Sequence, residues 1–220
     1  MAVFTETKSL TFLYHLMYPN AVLNIKGVIY MTKDTQNNNQ SDVLTEKLLE
    51  TRTVVISGEI NDEVARDVCN KLLLLESMSD DPINLFISTQ GGHVDSGFYI
   101  RDMINFIKPK VNIIGSGWVV SAGIFIYLSG EKERRYSLPN TRFMMHQPSG
   151  GAQGQSTELE ITAKEIVRTR RKINEIIAQE TGQSVEKVEE DTNRDYWLTA
   201  EEAQQYGIVN KIINTRDEIK

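Results

Sequence analysis

Three β-branched runs, Thr53–Ser57 (TVVIS), Ile83–Thr89 (INLFIST) and Val111–Ser116 (VNIIGS), recur roughly every thirty residues, and helical spacing fills the intervals. Asn61 is placed to cap a helix across Val64–Leu75, whose apolar face is Val64, Val68, Leu72 and Leu75. The pair Gly91-Gly92 follows the second run. Helical spacing then returns at Val94, Phe98, Met103, Ile104 and Ile107, stopping before Pro109. Gly115-Ser-Gly117 closes the third run as a turn, and an apolar helix over Ser121–Leu128 ends at Gly130. Strand, tight glycine turn and helix in alternation require a largely parallel sheet with helices packed against it, an α/β fold.

The flanking regions add less regular elements. Asp42 can cap a short helix through Arg52, and Arg142–His146 reads as a further strand. After PSGGAQGQ the longest helix runs from Ser156 to about Glu180. Thr157 and Glu160 have capping-box spacing, Gly182 is the stop, and Leu159, Ile166, Ile173 and Ile176/Ile177 are the stripe. Such a helix spans nearly ~40 Å. It either projects from the body onto another subunit or lies on the core with a solvated outer face, and spacing leaves both open. Thr35–Asp42 (TQNNNQSD) is amide-rich without an apolar residue and reads as an exposed loop. It divides an N-terminal segment, 1–42, from one compact domain, 43–220. His15, Pro19 and Lys26 interrupt the apolar patches between Leu10 and Met31, so neither a secretory signal nor a membrane span is expected. A propeptide or docking segment fits that region better, and the expected compartment is the cytoplasm.

Composition removes several function classes. A net charge of -6 argues against a nucleic-acid surface, which needs clustered Lys and Arg. One cysteine, Cys69, and three histidines without paired spacing leave no metal-ligand set. There is no G-x-x-x-x-G-K-[ST] loop. Gly115-Ser-Gly117 imitates a dinucleotide turn, but Val120 is bulky where the third glycine should allow the helix to approach. No cofactor is therefore expected.

What remains is a hydroxyl, an imidazole and a carboxylate. Ser121 opens a helix at the carboxyl edge of the expected sheet, where ligands of such folds bind. His146 ends an expected neighbouring strand, and Asp195 lies downstream. A serine becomes nucleophilic when an adjacent base takes its proton and an acid fixes that base's tautomer. Position 119 is Val, so G-x-S-x-G is absent. On spacing alone, Ser121 is equally a helix cap, and His146, beside Met144-Met145, equally a core residue.

Longer motifs decide between these readings. Ser137–Ile161 (SLPNTRFMMHQPSGGAQGQSTELEI), Thr181–Val209 (TGQSVEKVEEDTNRDYWLTAEEAQQYGIV) and Gly117–Gly123 (GWVVSAG) make the chain resemble the ClpP family of ATP-dependent Clp protease subunits, from about Leu48 to Ile213. The resemblance implies the ClpP/crotonase-like α/β spiral of β-β-α units with a projecting handle, here 147–181. It implies Ser121 as nucleophile, His146 as general base and Asp195 as orienting acid, with the N–H groups of Gly92 and Ala122 as oxyanion donors. The partners implied are two stacked heptameric rings of the same chain, joined through a Gly150–Gln155 strand with Gln153, Gly154 and Arg194. Hexameric AAA+ unfoldases of the ClpX or ClpA type would dock at Phe86, Phe106, Ile114, Tyr136 and Ile213, with Asn84 and Ser116 more polar than usual. Substrates would be unfolded chains, and ATP would be used by the unfoldase alone.

The chain departs from the family pattern in places. Gln90 replaces the proline of N-S-P-G-G, Ala122 the usual Met, Val119-Val120 smaller or amide residues, and Asn193 an acid beside Arg194. The competing expectations are a ring-forming paralogue with a structural or regulatory role and, more distantly, a crotonase-like acyl-CoA enzyme.

Overall fold

The computed structural model describes residues 21–23, 29–31, 38–148 and 153–219. The chain divides into two compact units, 1–47 and 48–220. In the first, β1 (Ala21–Leu23) and β2 (Ile29–Met31) pair antiparallel, Val22 opposite Tyr30. Helix α1 (Asn38–Glu50) crosses the junction. It starts inside the tract expected as a loop, whose residues 35–37 lie outside those described. With neither proline nor glycine between Asn38 and Asp42, nothing stops the helix from extending toward its N-terminus.

The second unit holds a seven-stranded sheet: β3 (Thr53–Ser57), β4 (Ile83–Thr89), β5 (Val111–Val120), β6 (Arg135–Ser137), β7 (Arg142–Met145), β8 (Tyr196–Leu198) and β9 (Lys211–Ile212). The order β3-β4-β5-β6-β9 is parallel throughout, as the βα alternation requires. Helices α2 (Asp62–Met78), α3 (Val94–Phe106) and α4 (Ala122–Tyr127) follow β3, β4 and β5. Asn61 caps α2 by accepting the Val64 N–H at 2.9 Å. Along β4, Ile83, Leu85, Ile87 and Thr89 are buried on one face, where Leu72, Ile100 and Phe125 join the core.

Strand β5 corrects the expected third unit. It continues past Ser116 for ten residues in all, and Gly115-Ser-Gly117 is a bulge within it. Ile87 faces Gly115 but Thr89 faces Val119, so β5 carries two more residues than β4 across that stretch. Gly117 absorbs the distortion at φ +68. The strand also forks. Ile113–Gly115 pairs with β6, whereas Trp118–Val120 pairs with β7, which supplies the hydrogen bonds that keep the distal half extended.

Helix α5 (Ser156–Thr181) ends at Gly182 in the left-handed conformation, as expected. The Thr157–Glu160 capping box does not form. The N-cap is Gln155, so Thr157 already lies inside the helix, and Glu160 pairs instead with Lys164 at 2.7 Å. A capping box does form at Thr199–Glu202, opening α7 (Ala200–Tyr206) after α6 (Val185–Asp191). Of the expected Gly150–Gln155 strand, residues 150–152 lie outside those described, and Gln153–Gln155 are not strand. A strand needs a ladder partner, and no described strand runs beside them.

Candidate active site

The fork in β5 is what assembles the site. Val120 pairs with Met144, and the ladder ends with the Ser121 N–H donating to the Met144 carbonyl at 2.9 Å. The chain then turns abruptly into α4. Ser121 takes φ 55 and ψ -117, a conformation that costs a non-glycine residue roughly 1–3 kcal/mol. Its neighbours make room for it. A Cβ on Gly91 would sit 2.7 Å from Ser121 Cβ and 2.8 Å from the Val120 carbonyl, and one on Gly123 would meet the Thr89 methyl at 2.5 Å. The first glycine of a G-x-S-x-G elbow is missing, yet the strained geometry is present, with Gly91 from the turn after β4 supplying the space.

His146 lies just past the end of β7, two residues beyond Met144. Strand β8 runs antiparallel to β7, with Met145 opposite Tyr196, so Asp195 arrives beside His146. His146 Nε2 is 2.8 Å from Ser121 Oγ, and Nδ1 is 3.2 Å from Asp195 Oδ1. Those contacts select the tautomer with the proton on Nδ1 donated to the carboxylate and Nε2 accepting from the hydroxyl. Gln147 clamps the pair. Its N–H donates to the Thr192 carbonyl at 2.8 Å and its Nε2 to the Asn193 carbonyl at 3.1 Å, tying the histidine strand to the turn before Asp195.

Of the two expected backbone donors, Ala122 follows the serine and Gly92 follows Gly91, the residue packed against it. Ala122 is the first residue of α4, where an N–H has no partner within the helix. Gly92 sits at φ +147 with its Cα pressed on Ile60, since a Cβ there would lie 2.2 Å from the Ile60 carbonyl. Beside Ser121 and His146 opens a narrow pocket walled by Val94, Phe125, Met145, Pro148, Ile173 and Ile177, an apolar lining drawn partly from α5. The buried Cys69 is no rival nucleophile, because desolvation pushes its thiol up to about 11. No group of three or more His, Cys, Asp or Glu among the described residues lies close enough to hold a metal ion.

The remaining expected positions are scattered. Gln153, Gly154 and Arg194 are exposed, and Arg194 forms no ion pair among the described residues. Phe86, Ile114 and Tyr136 stand in register across β4, β5 and β6, and with Ile213 they make a small cluster on the other face of the sheet, packed by Leu138 and Ile219. Ile114, Tyr136 and Ile213 are buried there and offer no free surface in the single chain. Phe106, at the end of α3, lies outside that cluster and is 78% exposed. Asn84 accepts from Asn112 Nδ2, whose own carbonyl accepts from Arg134, and Ser116 is half-buried. Sequence reasoning missed Gly91 and Gln147. The glycine pair and the HQP string were the available signals, and neither tells which side chain its residue will touch.

A family model described as Clp protease matches residues 35–216. The chain is 49% identical over 172 residues to the ATP-dependent Clp protease proteolytic subunit 3 of Rhizobium etli, covering 78% of this chain and 89% of that one. It is 50% identical over 191 residues to proteolytic subunit 2 of Pseudomonas aeruginosa, covering 85% and 95%. Among solved structures it resembles ClpP1 from Listeria monocytogenes with a TM-score of 0.74 and 58% identity, covering 80% of this chain and 99% of that one.

Proposed function

The chain belongs to the Clp protease family, and from that premise we propose that it is an ATP-dependent Clp protease proteolytic subunit whose serine peptidase chemistry runs through Ser121, His146 and Asp195. The observation that carries this reading is the 2.8 Å contact between Ser121 Oγ and His146 Nε2, made by a serine held in a strained turn. Ser121 attacks a peptide carbonyl while His146 takes its proton. The N–H groups of Gly92 and Ala122 receive the oxyanion, and His146 then gives the proton to the leaving amine. Water, deprotonated by the same imidazole, hydrolyses the acyl-enzyme. Asp195 remains ionised and stabilises the imidazolium. Only side chains, backbone and water enter these steps, so the chain needs no cofactor, and ATP is spent by the partner.

The substrate is an unfolded polypeptide lying extended beside the site, held by main-chain hydrogen bonds. The apolar pocket favours an apolar side chain on the residue whose carbonyl is attacked. The working form is two stacked heptameric rings in the cytoplasm, fed by an AAA+ unfoldase. The handle around α5, with Gln153, Gly154 and Arg194, meets the opposite ring. The Phe86 cluster and Phe106 belong to the face that meets the unfoldase.

Labelling with a fluorophosphonate probe tests the chemistry. The parent protein is expected to be labelled and to cleave unfolded protein, and Ser121→Ala to do neither. A parent that stays unlabelled, with or without an unfoldase, would instead favour a structural or regulatory paralogue.

A further inference from the structure

Immediately beyond Gly92 a second histidine, serine and aspartate touch, and the chemistry above does not use them. His93 is the N-cap of α3. Its Nδ1 lies 2.8 Å from Ser96 Oγ, which donates to Asp62 Oδ1 at 2.5 Å. A hydroxyl has a single proton. Because Ser96 gives it to Asp62, it accepts from His93, and the imidazole proton sits on Nδ1. Proton flow is thus the reverse of that between Ser121 and His146. Ser96, 3% exposed, is a relay rather than a nucleophile.

The location of this relay matters more than its composition. Asp62 is the first residue of α2 and Ser96 lies in the first turn of α3, so the relay ties the starts of two helices. Between those helices runs the bridge that seats Gly92: the Ile60 N–H donates to the Gly91 carbonyl and the His93 N–H to the Ile60 carbonyl, both at 2.8 Å. On the Gly91 side the turn is also held by the Gly91 N–H, which donates to Thr89 Oγ1 at 3.0 Å; on the Gly92 side the relay is the side-chain tie. Gly91 and Gly92 carry no side chains, and Gln90 stands where a proline would have fixed φ. The Ser96 hydrogen bond also holds the Asp62 carboxyl below its ordinary value, with His93 adding to the effect.

We propose that His93, Ser96 and Asp62 form a clamp that positions the Gly92 N–H toward the oxyanion, making them positioning residues for peptide hydrolysis. This rests on the reading of Ser121 as nucleophile and Gly92 as oxyanion donor. Losing an oxyanion donor outright costs about 10²–10³ in kcat, and a donor loosened but still present costs a fraction of that.

The test compares steady-state cleavage of a fluorogenic peptide, and inhibition by a peptide aldehyde whose hemiacetal places an oxyanion in the same hole. The variants are His93→Ala, His93→Asn and Ser96→Ala. His93 is largely exposed, so its variants leave the core intact. His93→Ala is expected to lower kcat about 5- to 30-fold with KM within about twofold, and to weaken the aldehyde by a similar factor. Ser96→Ala, which removes the bridging hydroxyl but leaves His93 Nδ1 3.3 Å from Asp62 Oδ1, should lower kcat by less. His93→Asn, which keeps a donor near the Nδ1 position, should recover kcat to within about threefold of the parent. Turnover in the parent that His93→Ala leaves intact overturns the clamp alone. So does a fall in kcat with unchanged aldehyde affinity, or an Asn variant no better than Ala. A parent without Ser121-dependent turnover overturns both the clamp and the reading beneath it.

Discussion

Ser121 holds its strained backbone because the residue packed against its Cβ, Gly91, has no Cβ to object. Gly91 sits at φ +90, against both Ser121 and the Ala122 nitrogen. Gly91→Ala adds a methyl at 2.7 Å from Ser121 Cβ and 2.8 Å from a backbone carbonyl, and neither can swing away. The variant is expected to lose at least ~10² in kcat, the cost of a misplaced reacting group, with KM little altered. Peptide cleavage by protein that still assembles checks it. The three residues proposed to react were legible only through the family motifs, since spacing alone left Ser121 equally a helix cap and His146 equally a core residue. The strain at Ser121, the Gln147 clamp and the pocket were not. Each depends on which segments the sheet brings side by side, and sequence order does not contain that information.

Elements were legible wherever local chemistry sets their limits. Asn61 capping α2, the bounds of β4 and Gly182 ending α5 all follow from short-range rules. Local rules failed where tertiary pairing overrides them, as in β5, where β7 keeps a glycine-rich stretch extended. The end of α5 depends on another long-range tie. Arg135, 2% exposed, donates to the Gly130 and Leu128 carbonyls and to the Glu180 carboxylate, which also pairs with Arg101 at 2.7 Å. Glu180→Ala leaves that buried guanidinium without its counter-charge. The expected loss is about 3–5 kcal/mol of stability, read as a lowered urea midpoint.

At the scale of the whole molecule, βα alternation was enough to specify the fold class, because parallel strands need crossovers and crossovers need helices. Assembly is the part that one chain leaves incomplete. The first half of α5 exposes Leu159, Ile161 and Val167 at 38%, 60% and 67%, more apolar surface than a solvated helix face normally carries. In the proposed double ring these side chains are covered. Ile161→Glu is therefore expected to shift sedimentation from a tetradecamer toward single heptamers and to reduce protein degradation in proportion. An undiminished tetradecamer would place this face outside the ring-to-ring contact.

The two surplus residues in β5 separate the structural half of that strand from its reactive end. Removing Ser116 and Gly117 would keep Val119 opposite Thr89 but let β4 and β5 zip without interruption, erasing the local twist with which β5 leaves β6 for β7 and so re-aiming the nucleophile. Such a shortened chain would melt much as its parent does and cut nothing. Folding and hydrolysis thus meet at one short irregularity, and the molecule can lose the second while keeping the first.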